Sequence, residues 1–239
     1  LGYWADLIKS LEELRKKIDD LDNQLVELLN ERARVVVEIG KLKSKTARPV
    51  YSPDREKQVF ERIARANKGP LPDKCLVAIW RELMSGSFVL ERPLRIGYLG
   101  PQGSFSHTAA MLKFGQSVEY EPVADITSIF EEVSKGHCDL GLAPVENTMG
   151  GGVIETLDAL IDSDVKVCAE VLMAIHHSLM ANCPLEEIEK IYSKPEVFAQ
   201  CRNWLSATFK GTQTVPVAST AKAAQMAAAE PRAAAIGST

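Results

Sequence analysis

No run of 18 or more apolar residues occurs in this 239-residue sequence, so nothing in it reads as a membrane-spanning helix. No Cys-x-x-Cys pair occurs either. Cys75, Cys138, Cys168, Cys183 and Cys201 are an odd, scattered set. Such a set reads as reduced thiols of a cytoplasmic protein, not as a disulfide framework or a zinc site. His107, His176 and His177 have no carboxylates beside them at ligand spacing, so no metal is expected. The start, Leu1-Gly2-Tyr3-Trp4, has no initiator Met and no apolar core behind it, which excludes a signal peptide and suggests a missing beginning. Charge of one sign is also lacking: the net is −4. Residues 1–92 hold 18 Lys+Arg against 15 Asp+Glu, whereas residues 93–239 hold 10 against 17. The basic excess of the first part is too small for a nucleic-acid surface and suits a small anionic substrate.

From Leu11 to Ile39 there is neither Gly nor Pro. Leu11, Leu14, Ile18, Leu21, Leu25, Leu28, Arg32, Val35, Ile39 and Leu42 follow a 3,4 spacing, a heptad seam with charges between. The helix this predicts ends near Thr46, because Arg48 precedes Pro49. From Leu11 to Lys43 it would run about 50 Å. A compact domain of ~90 residues has a radius of gyration near 13 Å and cannot cover such a rod. The mismatch implies a homodimer through this helix.

Ser52 is a good N-cap and Pro53 a good first residue for a second helix, running to about Ala66. Asn67-Lys68-Gly69-Pro70 turns the chain into a third helix, about Asp73 to Leu90, and Glu91-Arg92-Pro93 reads as a linker. Beyond Leu94 short strands and helices alternate, which indicates an α/β sheet. Strands are expected at 95–99, 119–123, 140–145, 188–193, 214–217 and 233–236. Helices are expected at 106–113, 126–135, 153–160, 195–208 and 220–230, with an extended apolar crossing at 165–180. The two domains expected are 5–92, all-α, and 94–239, α/β.

Arg32 stands on the apolar seam between Leu28 and Val35. A buried cation there needs an anion, either a carboxylate of the other chain that fixes the register or a ligand. Arg15 and Lys43 flank the seam and by themselves read as solvated cations. Taken together, Leu14-Arg15-Lys16-Lys17-Ile18-Asp19, Leu21-Asp22, Glu31-Arg32, Gly40-x-x-Lys43, Arg48-Pro49-Val50 and Asp54-Arg55-Glu56 resemble the helical chorismate mutase family. The match spans nearly all of residues 11–91. That family rearranges chorismate to prephenate, a pericyclic step that needs a folded substrate and stabilisation of charge growing on the ether oxygen. The resemblance implies that Arg32, Arg55 and a partner subunit's Arg15 bind carboxylates, that Lys43 faces the ether oxygen and that Glu56 holds the substrate hydroxyl. Ser87 and Glu91, one turn apart, would close the site. Many relatives have Gln where this chain has Glu91. A Glu donates to the ether oxygen only when protonated, so mutase activity is expected to fall as pH rises through its titration. Ser52 stands where some relatives have Asp and is either a substrate contact or only the helix cap.

Gly100-Pro101-Gln102-Gly103-Ser104-Phe105-Ser106 follows a strand and opens a helix. Such a turn is an anion site or simply a capped tight turn. Pro144-Val145-Glu146-Asn147-Thr148 puts polar residues after another strand, where α/β sheets hold ligands, or caps the next helix. With Pro195-x-x-x-x-Gln200-Cys201, Ser219-Thr220-Ala221 and Ala234-Ala235-Ile236-Gly237-Ser238, these segments resemble prephenate dehydratases in order. The whole sequence then looks like the bifunctional chorismate mutase–prephenate dehydratase family of phenylalanine biosynthesis, in which the first domain's product feeds the second. The resemblance implies a fold like periplasmic binding proteins, with Ser106, Glu146, Asn147 and Thr148 lining a cleft between lobes for prephenate. The family's Thr-Arg-Phe motif and ACT domain do not occur in this sequence, so an incomplete, inactive dehydratase half is expected. No cofactor, nucleic acid or membrane is implied for either step. Two other readings remain: a mutase fused to a non-catalytic small-anion-binding α/β module, and a purely structural coiled-coil dimeriser.

Overall fold

The computed structural model describes the backbone of residues 2–46, 49–147 and 151–238, and side chains from residue 10 onward over the same stretches to residue 237. Helix α1 (Gly2–Lys45) is 44 residues long, which is about 65 Å of rod. Its seam residues other than Arg32, from Leu11 to Leu42, are each 42–64% exposed. What the chain itself covers is an adjacent stripe. Val36 is buried, and α1 packs on α3 (Asp73–Glu91). Gly40 permits the approach: a Cβ there would lie 3.0 Å from the Glu91 Cα. Between them, α2 (Pro53–Ala66) starts as expected, with the Ser52 hydroxyl accepting from the Arg55 amide and Pro53 in the first turn. Its inward stripe Glu56, Val59, Ile63 meets Met84 of α3, with Phe60, Leu76, Trp80 and Phe88 around them.

The α/β part begins at β1 (Arg95–Leu99), α4 (Phe105–Phe114), β2 (Glu119–Val123), α5 (Ile126–Ser134) and β3 (Leu140–Leu142). The three strands are parallel in the order β2-β1-β3, with Ile96 opposite both Tyr120 and Leu140. The strand expected to reach Val145 stops at Leu142, since its ladder with β1 has only three residues. Two-residue strands β4 (Glu146–Asn147) and β5 (Gly151–Gly152) and helix α6 (Ile154–Ile161) follow. The extended crossing expected at 165–180 is regular only in β6 (His177–Ala181). Next come β7 (Lys190–Ser193), α7 (Pro195–Gln200), α8 (Arg202–Thr208), β8 (Gln213–Pro216), α9 (Thr220–Ala229) and β9 (Ala233–Ser238). In place of the single helix expected over 195–208 there are two. Cys201 breaks it, with φ −91° and ψ 4° in the sparsely allowed bridge region.

The chain divides into two compact units, and the division does not fall at the linker before Leu94. Residues 1–146 and 152–171 form the first; 147–151 and 172–239 form the second. In the first, the helices and the three-stranded sheet share a core: Tyr51, from the α1–α2 connection, is buried with Leu94, Ile96, Ala110, Phe114 and Val118. In the second, the sheet order is β6-β9-β7-β8, with β6 antiparallel and the rest parallel. Ala233, Ala234 and Ala235 are fully buried in β9, and small side chains there let the Ala-rich α9 lie close.

Candidate active sites

In the helical part, α1 and α3 bring four expected residues together. The Arg32 guanidinium donates to the Ser87 hydroxyl at 2.7 Å. One turn of α3 and three turns of α1 further on, Lys43 Nζ donates to Glu91 Oε2 at 2.8 Å and to the Val50 carbonyl at 3.0 Å. Ser87 is buried, and it also donates to the Leu83 carbonyl. Desolvation, then the like charges of Arg62 and Arg55, pull the pKa of Arg32 below its ordinary value. Sequence reasoning does not single out Arg62; it lies two turns after Arg55 on α2, and that i, i+7 repeat of arginine is the signal that points to it. Among the described residues no carboxylate pairs with Arg32, Arg55 or Arg62. Arg32 is half-buried with no carboxylate partner, and the exposed Arg55 and Arg62 add positive charge around it, which makes this a candidate site for an anion.

Arg15 is not brought to this group within one chain. It lies on the exposed N-terminal half of α1, 17 residues before Arg32, or about 25 Å along the axis. Ser52 caps α2 through the Arg55 amide at 3.4 Å. Glu56 is buried, and its carboxylate accepts from Tyr51 Oη at 2.9 Å, Lys113 Nζ at 2.7 Å and the Arg81 guanidinium. Burial by itself would raise its pKa. The hydrogen bonds from Lys113, Arg81 and Tyr51 outweigh burial and hold the carboxyl below its ordinary range. A carboxylate offers about four acceptor positions, so three donors leave one free. Sequence reasoning misses Tyr51, Arg81 and Lys113. Lys113, a lone charge on the otherwise neutral α4, is the one local hint.

In the α/β part, the Gly100–Ser106 turn is held from below. The Ser104 hydroxyl accepts from the His107 amide at 3.2 Å and donates to the Leu99 carbonyl at 2.9 Å. His107 is buried, stacked on Tyr98 at 4.7 Å and edge-on to Tyr120 at 5.6 Å. Its Nδ1 accepts from the Gly103 amide at 3.1 Å, so the ring serves as a brace for the turn. Ser106 is half-buried in the first turn of α4. Glu146 is exposed at the edge of the first unit, and Asn147 falls in the second. Thr148 lies outside the described residues. Among the described residues no group of three or more His, Cys, Asp or Glu could hold a metal, and no helix is long and apolar enough to cross a membrane.

Comparison with known proteins gives these two geometries a family. The prephenate dehydratase family matches residues 96–239, and chorismate mutase type II matches residues 14–92. A bifunctional chorismate mutase/prephenate dehydratase of Aquifex aeolicus (strain VF5) is 42% identical over 236 residues, covering 97% of this chain and 65% of its own length. One of Stutzerimonas stutzeri is 41% identical over 233 residues, covering 95% of this chain and 64% of its own length. The chain thus spans a little under two thirds of these relatives. The solved prephenate dehydratase of Staphylococcus aureus subsp. aureus Mu50 is similar with a TM-score of 0.53 at 25% identity, covering 61% of this chain and 55% of that one. An Arg-rich helical site followed by an α/β part with a braced Gly-Ser turn therefore has a family: the chain belongs to the prephenate dehydratases, with a chorismate mutase type II region in front.

Proposed function

We propose that residues 5–92 rearrange chorismate to prephenate and that residues 94–239 form the domain that converts prephenate to phenylpyruvate, two consecutive steps toward phenylalanine in the cytoplasm. The observation that carries the first step is Arg32, held by Ser87 and without a carboxylate partner among the described residues, with Lys43 and Glu91 paired one turn further along α3. A Claisen rearrangement needs no nucleophile and no proton transfer. It needs two carboxylates held so that the substrate stays folded, and positive charge where the ether C–O bond breaks. Arg32 and Arg55 bind the carboxylates, Lys43 donates to the ether oxygen, and Glu91 closes the site beside it. Ser87 fixes Arg32, and the free acceptor position of Glu56 takes the substrate hydroxyl. Ser52 orients Arg55 through the helix cap.

Arg15 supports a homodimer. It is too far from its own Arg32 to share a dianion of ordinary size, and the seam between them is exposed in one chain. A second copy laid along α1 buries the seam and delivers its Arg15. In the second domain Ser106, Glu146, Asn147 and Thr148 bind prephenate, whose loss of CO2 and water is driven by aromatisation.

The test is to incubate the purified chain with chorismate and separately with prephenate, following chorismate loss and phenylpyruvate formation. Arg32→Ala is expected to lower mutase kcat/KM by on the order of 10²–10³-fold with the dimer intact by light scattering. An Arg32→Ala chain that dissociates into monomers instead makes Arg32 a register residue and ends the mutase reading. From chorismate, prephenate is expected to accumulate; phenylpyruvate formed at a comparable rate would show that the second domain of this chain is catalytically competent.

A further inference from the structure

The Glu56 cluster joins parts of the chain that do two different jobs. Glu56 and its neighbour Arg55 are on the first turn of α2, in the proposed chorismate site. Lys113 is on the last turn of α4, whose first turn carries Ser106 of the proposed prephenate site. Their 2.7 Å ion pair is 18% and 8% exposed, well out of solvent screening. The contact is not isolated. Tyr51, which also donates to Glu56, packs edge-on to Phe114 of α4 at 5.2 Å and to Phe88 of α3 at 6.0 Å. Beside it, Glu82 of α3 accepts from the Gln116 amide at 2.8 Å, and Ser85 accepts from the Ser117 amide at 3.0 Å. Gly115 fits there only as glycine, with φ +80° and Ser85 2.5 Å from where its Cβ would be. The C-terminal end of α4 is therefore clamped on α2 and α3, all within one compact unit.

We propose that Lys113, a residue of the α/β domain, is a positioning residue for the chorismate step. It holds the Glu56 carboxylate so that its remaining acceptor position meets the substrate hydroxyl, and it fixes the first turn of α2 on which Arg55 stands. This rests on the mutase reading of the helical site. The chemistry fits the arrangement. A buried carboxylate with only Tyr51 and Arg81 could rotate toward Arg81; the Lys113 ammonium, on the oxygen opposite to the one Arg81 binds, prevents that. Lys113→Met keeps an aliphatic side chain of similar length and deletes the ammonium that pairs with Glu56 and lies 5.9 Å from the Tyr51 ring centre.

The experiment compares the wild-type chain, Lys113→Met and Lys113→Arg by hydrogen exchange of unliganded protein and by mutase kinetics. In Lys113→Met, the backbone amides of residues 55–57 should exchange faster and KM for chorismate should rise about tenfold, one charged hydrogen bond's worth, with kcat changed less. Lys113→Arg should restore both. In a Glu56→Gln background the Lys113→Met effect on KM should vanish, which a merely structural role would not produce. Unchanged exchange overturns the proposal, and so does faster exchange with an unchanged KM. A wild-type chain that does not consume chorismate refutes the mutase reading itself, and is told apart because it appears before any substitution is made.

Discussion

At Glu91 a single oxygen distinguishes this site from one built with Gln. In the unliganded chain Glu91 Oε2 accepts from Lys43, so Lys43 is partly neutralised before substrate arrives. An ionised Glu91 cannot donate to an ether oxygen, and its charge opposes the charge growing there. Glu91→Gln, which can donate to the ether oxygen and carries no charge, is therefore expected to raise mutase kcat/KM at neutral pH; an unchanged or lower rate would refute the role. Glu56 carries a pH dependence, in stability. Against the pull of burial, Lys113, Arg81 and Tyr51 depress its folded pKa. Its contribution is therefore fully present above the unfolded value of about 4.3 and is lost as pH falls through the lower folded value. Glu56→Gln leaves Lys113 and Arg81 unpaired and should cost roughly 3 kcal/mol at neutral pH. The cost should shrink as pH falls below the unfolded value and through the lower folded one, read as converging urea midpoints; a constant difference would show that the carboxylate is not the acid-labile group. None of this is legible locally: Glu56 and Lys113 are 57 residues apart, and only the fold makes them neighbours.

At the scale of elements, what can be read from sequence is what is local. Ser52-Pro53 starts α2 and the change of texture at Leu94 starts the sheet because caps, prolines and periodicity act within a turn or two. The 3,4 repeat of α1 is legible as a helix. Which of its faces the chain's own α3 covers is not, because that depends on Gly40. The end of the third strand is equally hidden: β3 stops at Leu142 because its ladder with β1 holds three residues, whatever Ala143, Pro144 and Val145 would prefer. Gly40 yields a prediction that separates stability from function. Gly40→Ala gains about 1 kcal/mol of helix propensity but places a Cβ 3.0 Å from the Glu91 Cα, a backbone atom that cannot move alone. Overpacking of this kind costs ~1–3 kcal/mol, so Gly40→Ala should change the melting temperature by only a few degrees. The strain falls on the α1–α3 spacing that sets the Lys43–Glu91 contact. Mutase kcat/KM should drop at least about tenfold; full activity would mean that this spacing is not what aligns the site.

For the whole molecule the governing fact is a mismatch between one chain and its own longest helix. Nine apolar seam residues stay open on α1, and burying them at about 25 cal/mol per Å² is a large driving force for a second copy. In the proposed dimer the second copy also answers for Arg15: an antiparallel neighbour along α1 would set its N-terminal half beside the C-terminal half of the first, so that each site would draw Arg32 from one chain and Arg15 from the other. This arrangement has a consequence that no monomeric site and no purely structural zipper shares. Arg15→Ala and Arg32→Ala chains, each inactive alone, should regain activity when mixed, unfolded together and refolded. Half of the dimers are then mixed, and one of the two sites in each mixed dimer has both arginines, so about a quarter of wild-type activity should return. Recovery to that level fixes the site as shared between subunits. A mixture as inactive as its components, with mixed dimers verified by mass, would place both arginines in one chain's site and leave pairing along α1 without a catalytic purpose.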